Sequence, residues 1–255
     1  MTDSKASIEH ARVAIVTGGA AGVGQAIVRK LAHEGVAVVV ADRDIAAARK
    51  LEHELVAGGA GILATETDVN DDVSLERTLS SALERFGQVD YLVNNAGMLG
   101  PIKPFWECTD AEVERVYGIN VRAVFACTRI VARHMIERRS GSIVTIASVA
   151  GKDGPKGLSI YASSKAAVIG FTKSWAKDLA PFGVRANCVS PSLVEATGMQ
   201  GEMPAWFSQD SIGRIPMGRA ARTDEVANVV YFLLSSESSF VTAACYDVSG
   251  GRATY

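Results

Sequence analysis

The sequence has no long apolar run and no block of like charge. Its longest apolar stretches, such as VAVVVA, are far too short to span a bilayer. Lysine and arginine are interspersed with acids to give a net charge of −2. We therefore expect neither a membrane protein nor a nucleic-acid-binding protein. The first residues, MTDSKASIEHAR, also lack the apolar middle of a signal peptide, so a cytoplasmic location is expected.

Cysteine and histidine are scarce, and neither is arranged for metal binding. The four cysteines are widely spaced and form no C-x-x-C motif, which predicts reduced, mostly buried thiols. The four histidines fall in the N-terminal tail or in charged helical segments, away from any nucleophile. A zinc enzyme and a Ser-His-Asp hydrolase are both disfavoured, and no metal site is expected.

Short apolar segments alternate along the chain with longer amphipathic ones. Seven short segments are continuously apolar and β-branched, as strands buried on both faces should be: residues 12–18, 36–42, 61–69, 89–95, 141–148, 184–190 and 244–250. Helical patterns lie between them, at residues 22–34, 44–57 and 71–86. A further helix starts at a capping box formed by Thr109 and Glu112. The pattern predicts an α/β fold, with a doubly wound, seven-stranded parallel sheet and helices on both faces.

No linker, repeat or low-complexity segment divides the chain. We expect residues 1–10 to form an N-terminal tail and residues 11–255 to form a single domain. One irregular stretch, residues 192–222, interrupts the last crossover and mixes glycine, proline, methionine and aromatic residues. Its length and composition predict a mobile lid over a ligand site.

A glycine-rich turn follows the first predicted strand. The sequence TGGAAGVG places Gly18 and Gly22 where the strand turns into a helix, with Ala21 and Val23 beside the second glycine. Small residues let the backbone approach a pyrophosphate, which the free N–H groups of the helix N-terminus then bind. Tight turns also need glycine, but the strand–turn–helix context favours a dinucleotide site.

The second predicted strand ends in Asp42. A carboxylate at this position can accept hydrogen bonds from the adenosine ribose hydroxyls, and it repels the 2′-phosphate of NADP. A solvated aspartate at a strand end is the alternative. Arg43 leaves two possibilities open, because its guanidinium can stack on adenine or pair with a 2′-phosphate. The glycine turn has no basic residue to support that phosphate, so NAD is favoured over NADP.

Polar or small residues also follow the third and fourth predicted strands. Asp68 and Val69 are placed to meet the edge of adenine, although Asp68 would serve equally well as a helix cap. Asn95, Ala96 and Gly97 offer a small, polar passage for the cofactor backbone. All these residues lie at carboxyl ends of strands, where open α/β sheets bind ligands. Taken together, these residues predict a dinucleotide site more strongly than any one of them does alone.

The segment YASSK places a phenol and an ammonium one helical turn apart. Positions i and i+4 share one face of a helix, so Tyr161 and Lys165 reach the same small volume. The pair is either an ordinary surface contact or a device that makes the phenol acidic. A phenol must lose about 3 pKa units, or about 4 kcal/mol, to act as a base near neutrality. A cation about 4 Å away supplies about that much at an effective dielectric constant near 20.

These motifs together resemble the short-chain dehydrogenase/reductase family: TGGAAGVG, NNAG, Asn120 in GINVRAVF, Ser148 in GSIVTIASVAG, and YASSK. The resemblance covers essentially the whole chain after the first ten residues. It implies a Rossmann fold and an NAD(P)-dependent enzyme. It also implies a homotetramer, because the family usually assembles through long helices like the one that carries Tyr161.

The resemblance assigns catalytic roles to four positions. It implies that Ser148 hydrogen-bonds the substrate oxygen and that Tyr161 removes the hydroxyl proton while hydride passes to the nicotinamide. Lys165 would lower the pKa of Tyr161 and hold the nicotinamide ribose, and Tyr161 is also expected to contact the cofactor. Asn120 would position a water that relays the proton to solvent.

The chain departs from the family after the sixth predicted strand. The family usually has Pro-Gly there, with a threonine five residues past the proline. This sequence reads SPSLVEATGM, with Ser192 in place of the glycine and Thr197 one position late. The resemblance still implies that Pro191 and Val194 contact the nicotinamide carboxamide through their backbones, whereas the role of Thr197 is left open.

Two segments resemble a narrower group, the NAD-dependent dehydrogenases of 2-keto-3-deoxy-L-sugar acids from L-fuconate and L-rhamnonate breakdown. They are VSGGRATY and SVAGKDGPKGLSIYASSKAAVIGFTKS. A sugar acid needs a cation or N–H donors for its carboxylate. The candidates near the expected mouth of the site are Lys152, Lys156, Arg214 and Arg252, and Trp206 is among the aromatic residues expected to wall the pocket. An ordinary surface or packing role is the alternative for each.

Two other functions remain open. A 3-oxoacyl-thioester reductase using NADPH shares the catalytic pattern, but Asp42 and the lack of a basic residue in the glycine turn disfavour it. A catalytically silent, nucleotide-sensing protein could use the same fold. Such a sensor would not need Ser148 or the Tyr161–Lys165 pair. We therefore expect a small-molecule alcohol or ketone as the substrate.

Overall fold

The seven predicted strands are all present and form one parallel sheet. The structure, a computed structural model, describes residues 12–195, 197–201 and 203–253, so the predicted tail at residues 1–10 lies outside the described residues. The strands are β1 (Val13–Thr17), β2 (Ala37–Asp42), β3 (Ile62–Glu66), β4 (Tyr91–Asn94), β5 (Gly141–Ile146), β6 (Val184–Pro191) and β7 (Cys245–Val248). Their order is β3-β2-β1-β4-β5-β6-β7, with every neighbouring pair parallel. The predicted doubly wound sheet is confirmed.

Helices cover both faces of the sheet. They are α1 (Gly22–His33), α2 (Ile45–Ala57), α3 (Asp72–Phe86), α4 (Asp110–Tyr117), α5 (Ala123–Arg138), α6 (Ala150–Asp153), α7 (Ser159–Leu179), α8 (Gly198–Gly201), α9 (Ala205–Gly213) and α10 (Thr223–Leu234). Val38 and Val40 of β2 belong to the core beneath α1, α2 and α10. Val39, between them, belongs to the core beneath α3, α5 and α7. Successive residues therefore pack into the cores on opposite faces of the sheet, which is why the strand sequences are continuously apolar.

The helices differ in whether a side chain caps their N-terminus. Asp44 and Asp71 cap α2 and α3 through their side chains, and Thr109 and Glu112 form the predicted capping box at α4. Helix α1 follows Ala21, whose side chain cannot cap, and its first turn contains no acidic residue. Its N-terminal N–H groups and positive dipole end are thus left for an anionic ligand.

Two global expectations can be compared with the described residues. No helix in these ranges combines the length and apolarity needed to cross a membrane. All four cysteines are free thiols. Cys127 and Cys188 are buried, as expected, whereas Cys108 and Cys245 are partly exposed.

Gly24 provides a test of how the turn before α1 is packed. An added Cβ there would overlap the Gly18 carbonyl oxygen and lie 2.5 Å from Asn95 Nδ2. We expect Gly24→Ala to lower the free energy of unfolding by about 1–3 kcal/mol, measured by urea denaturation. The control is Gly213→Ala in α9, where an added Cβ meets no atom within 4 Å. Equal stabilities of the two variants would contradict this packing.

Candidate active site

A cavity of about 550 Å³ lies along the carboxyl ends of the strands. The loops after β1 through β6 all contribute to its lining. It extends from Asp42 and Arg43, after β2, past the glycine-rich turn to Ser148, after β5, and Tyr161 on α7. Six strand ends therefore converge on one elongated space, as expected for ligand binding by an open α/β sheet.

The glycine-rich turn is held in a conformation that favours glycine. Gly18 and Gly22 have φ angles of +62° and +53°. An added Cβ at Gly18 would lie 2.9 Å from the Cα of Ala96. The Asn95 side chain fixes this arrangement, because its Nδ2 donates to the carbonyls of Thr17 (3.0 Å) and Gly18 (2.9 Å). The Asn95 amide thus shapes the turn, although the residue also lines the cavity.

The carboxylate of Asp42 is fixed at one end of the cavity. Its Oδ2 accepts a hydrogen bond from the Ala20 backbone N–H and its Oδ1 accepts one from that of Asp44, each at 3.0 Å. The charge therefore stays beside the glycine turn. Arg43 is exposed, lines the cavity and forms no ion pair with any described residue. Its guanidinium is free to approach a ligand.

Asp68 and Val69 line the same end of the cavity. Asp68 Oδ1 accepts a hydrogen bond from the Asn70 backbone N–H at 2.9 Å. The alternative role of Asp68 as a helix cap is wrong, because Asp71 caps α3. Asp68 instead stabilises the loop after β3.

Asn120 lies fully buried in a π-helical turn, Gly118–Arg122, that joins α4 to α5. Such turns are frequent at functional sites. The Asn120 Oδ1 accepts from the Met98 N–H, and its Nδ2 donates to the Met98 carbonyl, both at 2.9 Å. Nδ2 also donates to Ser164 Oγ at 3.0 Å. The side chain therefore ties the loop after β4 to α7.

Helix α7 brings a phenol and an ammonium to the end of β5. The Tyr161 hydroxyl forms a hydrogen bond with Ser148. Ser148 Oγ also accepts from the Ala150 N–H at 3.1 Å. Lys165 Nζ donates to the Ile146 carbonyl at 2.8 Å and lies 5.8 Å from the centre of the Tyr161 ring. The three predicted polar groups are thus in one place, and all three residues line the cavity.

Burial dominates the ionisation of this pair. It raises the pKa of Tyr161 to about 12, although the hydrogen bond with Ser148 acts in the opposite direction. It lowers the pKa of Lys165 to about 8. In the chain alone Lys165 therefore does not make the phenol acidic, and its effect with a cofactor bound stays a prediction. Removal from water disfavours the charged form of both groups, and this outweighs their proximity.

Ser164 is a site residue that the sequence patterns did not single out. It is fully buried, and its Oγ donates to the Tyr161 carbonyl at 2.7 Å while accepting from Asn120. It therefore connects the π turn to the backbone that carries the phenol. The available signal was a hydroxyl three residues after Tyr161 in a helix, where serine can bond back to the preceding turn.

The described part of residues 192–222 covers the cavity from one side. Val194 pairs with Ala221 in a short parallel bridge, which closes the segment at its base. Met203, Phe207 and Ser211 line the cavity from above. Thr197 approaches the glycine turn, since an added Cβ on Gly22 would lie 3.6 Å from Thr197 Cγ2. The location suits a lid, and mobility of this segment stays a prediction.

Most of the substrate-binding candidates lie outside the cavity. Lys152 is buried in an ion pair with Asp247 (Nζ–Oδ1 2.9 Å) and does not line the cavity. Lys156 is exposed, and it does not line the cavity either. Trp206 is 62% exposed and turns away from the cavity, which its neighbour Phe207 lines instead. The assignments of Lys152, Lys156 and Trp206 are therefore corrected.

Of the two arginine candidates, one lies outside the cavity and the other lines it. Arg214 is exposed, pairs with Asp210 one turn earlier in the chain and does not line the cavity. Arg252 lines the cavity and pairs with Asp153. Only Arg252 of the four predicted cations is thus placed to meet a ligand in the cavity.

The cavity fits a nicotinamide dinucleotide. The uncapped N-terminus of α1 and the glycine turn provide a cradle for a pyrophosphate, which a side chain at Gly22 would fill. Asp42 lies at one end for a ribose, and Ala96, Gly97, Pro191 and Val194 line the path beyond the turn. The donor set, which is spread over six strand ends, suits this cofactor class.

Comparison with known proteins identifies the family. A family model described as short chain dehydrogenase matches residues 12–207. The chain belongs to the short-chain dehydrogenase/reductase family.

Two curated relatives and one solved structure cover nearly the whole chain. A 2-dehydro-3-deoxy-L-rhamnonate dehydrogenase (NAD(+)) of Sphingomonas sp. (strain SKA58) is 39% identical, over 96% of this chain and 96% of its own. A 3-oxoacyl-[acyl-carrier-protein] reductase of Thermotoga maritima is 35% identical, over 94% of this chain and 97% of its own. The crystal structure of NAD⁺-bound xylitol dehydrogenase has a TM-score of 0.88 and 32% identity, covering 94% of this chain and 98% of that one.

The buried ammonium generates a prediction about stability and pH. The pKa of Lys165 is about 8 in the folded chain and ordinarily 10.5, so between these values the unfolded chain binds more protons. Stability therefore rises with pH across this window. We expect the free energy of unfolding of the cofactor-free protein to rise by about 2 kcal/mol more between pH 7.5 and 9.5 than that of Lys165→Met.

Lys177→Met, at an exposed lysine on the same helix, is the matched control and should follow the original protein. Urea denaturation at each pH gives the comparison. Parallel profiles for the original protein and Lys165→Met would show that the ammonium is not desolvated.

Proposed function

We propose that the protein is an NAD-dependent dehydrogenase of a sugar acid such as 2-keto-3-deoxy-L-fuconate or 2-keto-3-deoxy-L-rhamnonate. The observation that carries the reaction class is the convergence of Tyr161, Ser148 and Lys165 on one dinucleotide-sized cavity. The substrate class is supported by the rhamnonate-type relative, which is 39% identical over 96% of this chain.

When bound, oxidised NAD supplies the carbon that accepts hydride and a positive charge near the reacting centre. Ser148 hydrogen-bonds the substrate oxygen, and Tyr161 Oη takes the proton from the substrate hydroxyl. In the reverse direction the Tyr161 hydroxyl donates that proton. Because the chain alone keeps the phenol neutral, formation of the phenolate at neutral pH requires added positive charge at the site.

Lys165 and Asn120 act around this proton transfer. Lys165 contributes a buried cation and holds the nicotinamide ribose through Nζ. Asn120 keeps the π turn, the loop after β4 and α7 in one arrangement through its side chain. We assign the positioning of a relay water to this turn, since the Asn120 side chain is already used in protein contacts.

The remaining assigned residues hold the cofactor. Residues Gly18, Ala21, Gly22 and Val23 bind the pyrophosphate at the start of α1. Asp68, Val69, Asn95, Ala96 and Gly97 flank the adenosine and the path toward the nicotinamide. Pro191 and Val194 contact the carboxamide through their backbones. All of these residues line the cavity.

NAD is preferred over NADP because the Asp42 carboxylate is anchored. Two backbone N–H groups hold its oxygens beside the glycine turn, so the charge cannot withdraw from a 2′-phosphate. Arg43 is exposed next to it and is assigned to the face of adenine.

A homotetramer in the cytoplasm is part of the proposal. Phe171 and Trp175 of α7 stack on each other, and Phe125 of α5 meets both rings at an angle. Phe125 remains 43% exposed. An exposed aromatic group across two long helices suits contact with the same helices of a second copy. Light scattering after size-exclusion chromatography gives the mass; a monomer would contradict this assignment.

A 3-oxoacyl-thioester reductase is the second candidate. The Thermotoga maritima relative carries that activity in its name and is 35% identical over 94% of this chain. Purified protein assayed with NAD and NADP in parallel separates the two. Fast, NAD-restricted oxidation of a 2-keto-3-deoxy-L-sugar acid supports the proposal. Activity only with NADP and acyl thioesters overturns it.

The role of Tyr161 predicts a specific loss. Tyr161→Phe removes the proton-transferring oxygen, so turnover should fall by about 100-fold or more. NADH binding, measured by fluorescence titration, should change little because the phenol is not needed for the pyrophosphate or adenosine contacts. Tyr246→Phe, on β7 and outside the cavity lining, is the control. Near-normal turnover of Tyr161→Phe would refute the mechanism.

The role of Asp42 predicts a change in cofactor choice. Asp42→Asn removes the charge but keeps one oxygen acceptor for the turn. The ratio of kcat/KM for NADP to that for NAD should rise by about 10- to 100-fold, as expected for loss of one close charge repulsion. Glu66→Gln is the control. Glu66 lies on β3 directly beside Asp42 of β2 in the strand register, yet it does not line the cavity. An unchanged ratio in Asp42→Asn would contradict the assignment.

A further inference from the structure

Arg252 reaches the cavity from the turn that follows β7. Its side chain is only 9% exposed, and it lines the same cavity as Ser148 and Tyr161. Its Nε donates to Asp153 Oδ2 at 3.0 Å. Asp153 ends α6, which begins two residues after Ser148. The guanidinium is therefore anchored next to the element that presents the substrate-binding hydroxyl.

The turn that carries Arg252 is held in place on several sides. Gly250 and Gly251 have φ angles of +60° and +90°, conformations that glycine adopts without strain. The Met217 N–H donates to the Gly250 carbonyl at 3.1 Å, which ties the turn to the end of the lid segment. The Ala253 N–H donates to Ser249 Oγ at 3.2 Å. These contacts fix the backbone on both sides of the arginine.

The guanidinium retains donors for a ligand. Arginine has five N–H groups, and the contact with Asp153 uses the one on Nε. Among the described residues, no other side-chain hydrogen bond of Arg252 is formed. Its two terminal nitrogens can therefore form the paired hydrogen bonds that a planar carboxylate accepts.

The other arginines of the cavity lining are less suited to this task. Arg43 lies at the end of the cavity formed by β2, beside Asp42. Arg115 is exposed on α4 and forms no ion pair with a described residue that would orient it. Arg252 combines burial, an orienting carboxylate and proximity to the Ser148 loop. A buried, pre-oriented cation binds an anion more strongly than a hydrated surface cation does.

We propose that Arg252, oriented by Asp153, binds the carboxylate of the substrate. The proposal rests on the proposed dehydrogenase function and names the residue that selects for acids. Arg252 is a binding residue, and Asp153 is a positioning residue that acts through it. The site would take a secondary alcohol that also carries a carboxylate.

The test compares acids with their uncharged amides. The probes are 2-keto-3-deoxy-L-rhamnonate, 2-keto-3-deoxy-L-fuconate and cis-4-hydroxycyclohexanecarboxylate, each paired with its primary carboxamide. For each pair, kcat and KM are measured with NAD. In the original protein we expect kcat/KM to favour the acid by about 10- to 100-fold, a range typical of charged hydrogen bonds. In Arg252→Gln this preference should disappear, because KM should rise much more for the acid than for the amide, whose uncharged oxygen accepts weaker hydrogen bonds.

Two further variants separate binding from folding. Arg252→Lys keeps the charge but not the paired donors, so it should retain part of the acid preference. Asp153→Asn should raise KM for the acid several-fold with kcat little changed, because it only loosens the orientation of Arg252. Arg214→Gln is the matched control, since Arg214 is exposed and outside the cavity lining. Thermal denaturation confirms that each variant is folded.

Each outcome decides the proposal. If the original protein prefers acids and Arg252→Gln keeps that preference, Arg252 is not the carboxylate site, while the dehydrogenase function stands. If the original protein shows no preference for any acid over its amide, the proposal is wrong. If the sugar acids fail but the cyclohexane acid shows an Arg252-dependent preference, the carboxylate site stands and the sugar-acid substrate is wrong.

Discussion

The ammonium of Lys165 is buried at the end of β5, and several other features exist to accommodate it. Its Nζ donates to the Ile146 carbonyl at 2.8 Å, which sets α7 against the end of the strand. Gly97 leaves little room beside the ammonium, because an added Cβ would lie in contact with Nζ at 3.5 Å and close to Asn120 Oδ1 at 3.3 Å. Gly151 must also be small, because an added Cβ would lie 2.7 Å from the Lys165 carbonyl carbon. A costly buried charge is thus enclosed by closely packed elements, which also meet through the apolar contacts of Ala150, Leu158 and Tyr161.

The features that could be predicted from the sequence are those with local causes. Strand positions follow from continuous β-branched runs, and the cap at α4 follows from Thr109 and Glu112, which are three residues apart. The position of Asp42 follows from its offset from the glycine turn. The features that escaped prediction depend on distant residues. The π turn around Asn120 and the bridging role of Ser164 arise only when α4, α5 and α7 pack together. Lys152 is withdrawn from the cavity by Asp247, which is 95 residues away along the chain.

The two ends of the cavity recognise charge by the same physical device. At one end, backbone N–H groups hold the Asp42 carboxylate, which under the proposed function repels the 2′-phosphate of NADP. At the other, Asp153 holds the Arg252 guanidinium, which is the proposed site for a substrate carboxylate. In both cases the charge is anchored before the ligand arrives, so little conformational freedom is lost on binding. The reacting groups lie between them, where burial keeps the phenol neutral and lowers the pKa of Lys165 in the chain alone.

The most direct measurement is an ultraviolet absorbance titration of Tyr161. The difference between the original protein and Tyr161→Phe isolates this phenol from the other tyrosines, with and without bound NAD. We expect Tyr161 to stay protonated up to about pH 11 in the cofactor-free protein, because burial raises its pKa to about 12. When NAD is bound, we expect the phenol to ionise near neutral pH, as the proposed mechanism requires. A phenol that ionises near neutral pH without NAD, or one that stays protonated at high pH with NAD bound, would contradict it.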